Sequence, residues 1–218
     1  MVGRIPIMDV FPLVDLGRLP AKATVGEPLP VSATVFREGH DALAAELVPL
    51  GPDRKRRPPV RMATAPETPD RYRASFTPDA PGEWGYEIQA WSDPLGTWQH
   101  HAEIKVPAGI DVELVFAEGR LLLQRVQRSL PRKEPGAREV VKAAVAAAKD
   151  TRRPPEARLA ELLSPRLWDV LHRFPLRELV TVAGPFPAYA DRHRALFGSW
   201  YELFPRSEGA TRDPATGR

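Results

Sequence analysis

The stretch 196-LFGSWYELFPRSEG-209 decides how the rest of the chain is read. Phe197, Trp200, Tyr201, Leu203 and Phe204 form a near-continuous apolar and aromatic run, bounded by Gly198 on one side and by Pro205 and Gly209 on the other. A strand buried on both faces has this composition, and such strands occur mainly in parallel sheets. Parallel partners need crossover connections of a dozen or more residues. The nine residues that follow, ATRDPATGR, cannot supply one. Either the strand joins a sheet built upstream, or the chain is the front part of a longer protein.

Composition narrows the classes. The chain has 218 residues, 43% hydrophobic and 27% charged, with a formal net charge of +3. These are the proportions of a globular chain of one large or two small domains. No run approaches the roughly 18 apolar residues of a membrane span. The N-terminus lacks an apolar signal core with a small-residue cleavage site, so a cytoplasmic location is expected. Cysteine is absent, which excludes disulfides, thiolate metal sites and cysteine nucleophiles. The charge excess is too small to call for a nucleic acid.

The front half reads as strands. In 29-LPVSATVFREG-39, Val31, Ala33 and Val35 alternate with Ser32, Thr34 and Phe36. The segments 42-ALAAELVPLGP-52 and 59-PVRMATAP-66 are weaker candidates. Tyr72, Ala74 and Phe76 alternate next, then Trp84, Tyr86, Ile88 and Ala90 beyond a turn. After 92-SDPLG-96, read as a turn, Trp98, His100, Ala102, Ile104 and Val106 continue with the same period. Short strands spaced by turn residues suggest an immunoglobulin-like β-sandwich over residues 1–108.

Periodicity changes at residue 110. Val112, Val115, Phe116, Leu122, Leu123, Val126 and Leu130 recur at helical spacing, with Asp111 placed to cap the start and Pro131 to end the helix. Val140, Val141, Ala144, Val145 and Ala148 form one face of a second helix. Pro155 and Pro165 suit the first turns of two short ones, with Ser164 as a cap. A helical bundle is expected over 109–192, its small-residue face suited to close helix contacts.

Candidate functional residues carry weak signals. Asp9, Asp15, Glu83, Glu87, Glu113, Glu118 and Glu202 lie in no recognisable catalytic motif. Glu202, between Tyr201 and Leu203, reads as a strand residue with an arginine or backbone partner. His100 and His101, adjacent in an expected strand, would face opposite ways; His40, His172 and His193 stand apart, so no metal site is expected. No glycine-rich phosphate loop or G-x-S-x-G elbow is present. Trp84, Trp91 and Trp98 cluster within fifteen residues, where flat aromatic faces can hold sugar rings or fill a core. Trp91, out of phase with Trp84, should lie on the opposite sheet face, near Trp98. The basic run 54-RKRRPPVR-61 reads as a solvated loop.

A sandwich, a bundle and one buried strand resemble the N-terminal part of the bacterial α-1,4-glucan:maltose-1-phosphate maltosyltransferases of the α-amylase superfamily. The residues that carry the resemblance are 4-RIPIMDVFPLVDLGRLPAKATVGEPLPVSATVFREGHD-41, 72-YRASFTPDAPGEWGYEIQAWSDPLGTW-98 and 191-DRHRALFGSWYELFPRSEG-209. In that family a sandwich and helices precede a (β/α)8 barrel, and 200-WYELFPRS-207 matches the barrel's first strand. The resemblance implies that residues 193–218 lead into a catalytic barrel beyond Arg218. It implies an enzyme transferring maltosyl from α-maltose 1-phosphate to α-1,4-glucan with retention, within glycogen and α-glucan biosynthesis. Retention requires two carboxyl groups about 5 Å apart. No residue here matches the family's nucleophile or acid, so no catalytic, cofactor or metal residue is assigned and the chain alone is expected to be inactive. The family's dimeric habit, with the small face of 140-VVKAAVAAAK-149, suggests a homodimer. The alternatives are a free-standing carbohydrate-binding or adaptor module, or the front of another superfamily enzyme such as a branching enzyme.

Overall fold

Alternation in sequence becomes two sheets around one core. In the computed structural model, which describes residues 4–198, 201–204, 209 and 211–217, strand β3 (Leu29–Val35) buries Leu29, Val31, Ala33 and Val35 and turns Pro30 outward. It pairs antiparallel with β1 (Ile7–Phe11) and β7 (Thr68–Phe76), and β6 (Ala63–Ala65) completes a sheet of order β1-β3-β7-β6. The second sheet has the order β2-β9-β8-β4-β5, built from Ala21–Thr24, Glu178–Asp191, Gly82–Ser92, Leu43–Leu50 and Val60–Arg61 respectively. Only β2 with β9 is parallel; the other pairs of this sheet are antiparallel.

Val31, Val35, Tyr72 and Phe76 from the first sheet meet Leu47, Tyr86, Ile88, Ala188 and Ala190 from the second in one cluster. The 59–66 stretch is two short strands, not one. β5 belongs to one sheet and β6 to the other, and buried Met62 makes the crossing, its N–H donating to the carbonyl of Ala45 at 2.9 Å.

Helices α1 (Pro94–Lys105), α2 (Val112–Ser129), α3 (Pro135–Lys149), α4 (Pro155–Leu162) and α5 (Pro165–Arg173) follow consecutively. Their apolar faces form a second cluster, with Trp98, Phe116, Leu123, Val141, Leu162 and Leu167 among its members. Mixed sheets with five helices make an α+β chain. No helix among the described residues is long and apolar enough to cross a membrane.

Three expectations are corrected. Residues 94–105 are helix α1, not a strand: Leu95, Trp98 and Ala102 are buried at helical spacing, whereas Ile104 is 56% exposed. The Asp93 carboxylate accepts from the Gly96 N–H at 3.1 Å and Pro94 occupies the first turn, so the supposed turn is a helix start. Helix ends at Arg173, and 178–191 is β9, lying beside β8 in the second sheet. Asp111 does stand at the N-cap of α2, but its side chain makes no capping bond. It sits at φ 52°, and its carboxylate pairs with Lys105 at 3.0 Å.

The decisive C-terminal run also differs from the buried-strand reading. Trp200, Pro205, Arg206, Ser207 and Glu208 lie outside the described residues. Tyr201 and Phe204 are 87% and 70% exposed and belong to no strand, so the described residues 201–204 join neither upstream sheet.

Candidate functional site

The candidate carboxylates are scattered rather than paired. Glu87 faces outward from β8, shielded, with its carboxylate 2.9 Å from Arg56. Two carboxylates without a motif are equally shielded: Glu46 accepts from Arg177, and Asp93 lies 3.2 Å from Arg61. Each buried carboxylate therefore has its own guanidinium, which offsets the cost of leaving water. Asp15 pairs with Arg18 at 3.0 Å on the surface, and the backbone carbonyl of Asp9 accepts from Arg71. Glu83 is exposed near the start of β8, and Glu202 is exposed outside any strand.

Arg158 reaches Glu113 by two bonds, of 2.5 and 3.2 Å, and also donates to the Ala148 carbonyl at 2.6 Å. Its guanidinium stacks 3.8 Å from the centre of the Phe116 ring. Only 2% of it is exposed, which makes it a structural bolt through the helices. The Arg158 bonds hold the Glu113 carboxyl below its usual range, with burial opposing them.

All three clustered tryptophans are buried, so none offers a sugar platform. The Trp84 N–H donates to the Ala80 carbonyl and that of Trp98 to the Val115 carbonyl, each at 2.8 Å. Trp91 does lie on the opposite sheet face from Trp84, but Arg177 and Arg61 cover it at 4.3 and 4.9 Å from its ring. The basic run is therefore not simply solvated. Arg56, Arg57 and Arg61 fold back onto Glu87, Trp84 and Trp91. Sequence reasoning missed Arg177, because its partners lie more than eighty residues away.

The histidines do not converge. His100 and His101 are consecutive on α1, His172 packs against Trp168, and His193 against Phe197. His40 is exposed.

One cleft brings candidate groups together. Between α1, α2 and the start of β9 lies an open cavity of about 400 Å³. Leu121 and Leu122 form its apolar wall, with only the small exposed part of Trp98 beside them, and His101, Glu118, Arg125 and Glu178 stand around it. Arg125 and Glu178 bridge the helices to the sheet at 2.7 Å. Of the candidates read from sequence, only Trp98, His101 and Glu118 meet here.

The profile of a family described as "Alpha-1,4-glucan:maltose-1-phosphate maltosyltransferase, domain N/S" matches residues 3–192. The chain belongs to this family. Proteins named α-1,4-glucan:maltose-1-phosphate maltosyltransferase resemble it along nearly its whole length. One from Streptomyces coelicolor is 50% identical over 98% of this chain and 32% of its own. One from Arcanobacterium haemolyticum is 44% identical over 99% of this chain and 31% of its own. A third, from Mycobacterium tuberculosis, is 38% identical over 97% and 33%. The chain spans about a third of the length of these relatives.

Proposed function

We propose that this chain is the non-catalytic N-terminal region of an enzyme that transfers maltosyl from α-maltose 1-phosphate to α-1,4-glucan. The observation that carries the reading is the family match over residues 3–192, together with relatives named for that reaction. Physical support comes from the carboxylates. The shielded ones, Glu46, Glu87 and Asp93, are each spent in an ion pair with an arginine. The role left for the region is to scaffold the enzyme and contact its glucan.

The immunoglobulin-like sandwich is the finer architectural reading. A four-stranded and a five-stranded sheet sharing one core favour it, while the parallel β2–β9 pair departs from it. The natural division is a sheet unit of 4–93 with 178–191 and a helical unit of 94–173. Residues from 193 onward are proposed to lead into a barrel, where Tyr201, Leu203 and Phe204 would find the cover they lack here. A homodimer is proposed through a surface other than the small-residue face of α3. Val141, Ala144 and Ala148 of that face are buried in the chain's own helical core. The enzyme is proposed to act in the cytoplasm.

The test is phosphate release from maltose 1-phosphate with maltoheptaose as acceptor. This chain alone should give a blank beside the Streptomyces coelicolor relative at equal molar concentration. A chimaera in which this chain replaces the matching third of that relative should stay within about tenfold of its turnover, or ~1.4 kcal/mol in barrier. Turnover by the chain alone in that range would make its carboxylates catalytic and overturn the reading. A folded but inactive chimaera would count against the scaffold role.

A further inference from the structure

We propose that the cleft between α1, α2 and the start of β9 binds a short stretch of α-1,4-glucan. The inference rests on the function proposed above and adds to it a place where the polymer is held.

Charge is the first argument. Three carboxylates line the cleft, but Asp41 is paired with Arg37 at 3.2 Å and Glu178 with Arg125 at 2.7 Å. That leaves Glu118 as the one uncommitted charge. An anionic ligand such as a phosphate ester would meet Glu118 and both paired carboxylates. A metal cation needs several free oxygens, and among the described residues no group of three or more acidic or histidine side chains is placed to hold one. The site suits a neutral ligand.

Hydrogen-bonding capacity is the second. The Glu118 and His101 side chains make no hydrogen bond among the described residues, while Arg125 spends one nitrogen and Glu178 one oxygen on each other. Acceptors and donors thus both line one opening, which is what a ligand carrying several hydroxyls can satisfy. The third argument is the wall. Leu121, 54% exposed, and half-buried Leu122 form an apolar surface against which the C–H face of a pyranose ring can lie. The cleft is open to solvent, not an enclosed cavity. About 400 Å³ falls within the usual range of small-ligand sites.

The experiment is calorimetric titration of this chain with maltoheptaose, with cellohexaose and maltose 1-phosphate as controls. Saturable binding of maltoheptaose is expected, and the double variant Glu118→Ala/Arg125→Ala should weaken it at least tenfold. Both side chains are solvent-exposed, so the variant should keep its fold, which circular dichroism checks. A second variant, Leu121→Glu, should weaken binding through the wall alone. Absent binding, or binding untouched by both variants, overturns the proposal. Equal binding of cellohexaose overturns the α-glucan assignment. None of these outcomes alters phosphate release by the chimaera, so a failed cleft and a failed functional reading give different patterns.

Discussion

The sheet unit and the helical unit are stabilised by opposite strategies. Sheet core residues come from distant parts of the chain: Ala190 of β9 sits opposite Gly82 of β8, more than a hundred residues away, and Val31 opposite Ala74. The helical core is contiguous, drawn from residues 95–176, with leucine its commonest residue and four alanines supplied by α3. The sheet core is therefore sensitive to register. The helical core depends on how closely its helices approach, which small residues allow and one close contact limits. The units are joined by the chain at Ser92–Pro94 and again before Glu178. Two further bonds help: the Arg125–Glu178 pair, and the Thr97 hydroxyl accepting from the Ala42 N–H at 2.8 Å. Two cores with so slender a junction should unfold as two cooperative units.

The strongest way to break that picture is Arg158→Ala. It removes a buried cation that bonds the Ala148 carbonyl, covers Phe116 and ties α4 to α2, and should cost about 3 kcal/mol. Hydrogen exchange should accelerate in α2–α5 and stay slow in β3, β7 and β8. Equal acceleration in the strands would show one cooperative unit.

Gly119→Ala comes next. A Cβ there would sit 2.5 Å from the Trp98 ring, which packs across α2, so the helix-propensity gain is outweighed and a net loss of about 2 kcal/mol is expected. Chemical denaturation would show it. An unchanged midpoint would mean that Trp98 moves at little cost and that the helical core is less tightly packed than argued.

Tyr86→Phe probes the sheet unit. The Tyr86 hydroxyl, fully buried, donates to the Pro12 carbonyl, and its loss should cost about 1 kcal/mol. The same ring predicts a pH dependence. Burial raises the Tyr86 hydroxyl well above its usual value of 10.0, and burial likewise raises Tyr72. Below the unfolded value both states are protonated and these groups contribute no slope. Above it the unfolded chain loses protons that the folded chain keeps, so stability falls as pH rises, by up to about 1.4 kcal/mol per pH unit for each fully shifted group. Tyr86→Phe should flatten the decline above pH 10.0, and Tyr72→Phe should flatten it by less. Alkaline denaturation profiles identical to wild type would remove burial as the cause.

The smallest expected effect is that of Arg125→Gln. Both partners of its bridge are 43% exposed, so the loss should stay below about 1 kcal/mol and shrink with added salt. A larger loss would mean that the junction couples the two units more firmly than the separate cores suggest.

How much could be read in advance follows from the range of the interactions. The alternation of Val31, Ala33 and Val35, and of Trp84, Tyr86, Ile88 and Ala90, appears unchanged as inward-facing strand residues. The spacing of Val115, Phe116, Leu123 and Val126 appears as the buried face of α2. These are local periods, fixed by backbone geometry. Helix α1 was misread because Trp98, Ala102 and Val106 satisfy period two and period four alike; Leu95 and the Asp93–Pro94 start separate them. The cleft was even less legible, since His101, Glu118 and Glu178 meet only once α1 has turned helical and β9 has returned to the sheet.

By itself, then, the sequence determined the strand and helix periods of most elements and, through its motifs, the family. Which sheet β9 enters, which carboxylate each arginine neutralises and where the tryptophans lie were decided only by the tertiary structure. The physical reason is that pairing and burial depend on which distant surfaces come within hydrogen-bonding reach. Glu46 and Arg177 are 131 residues apart in the chain, and no local pattern records that they will meet.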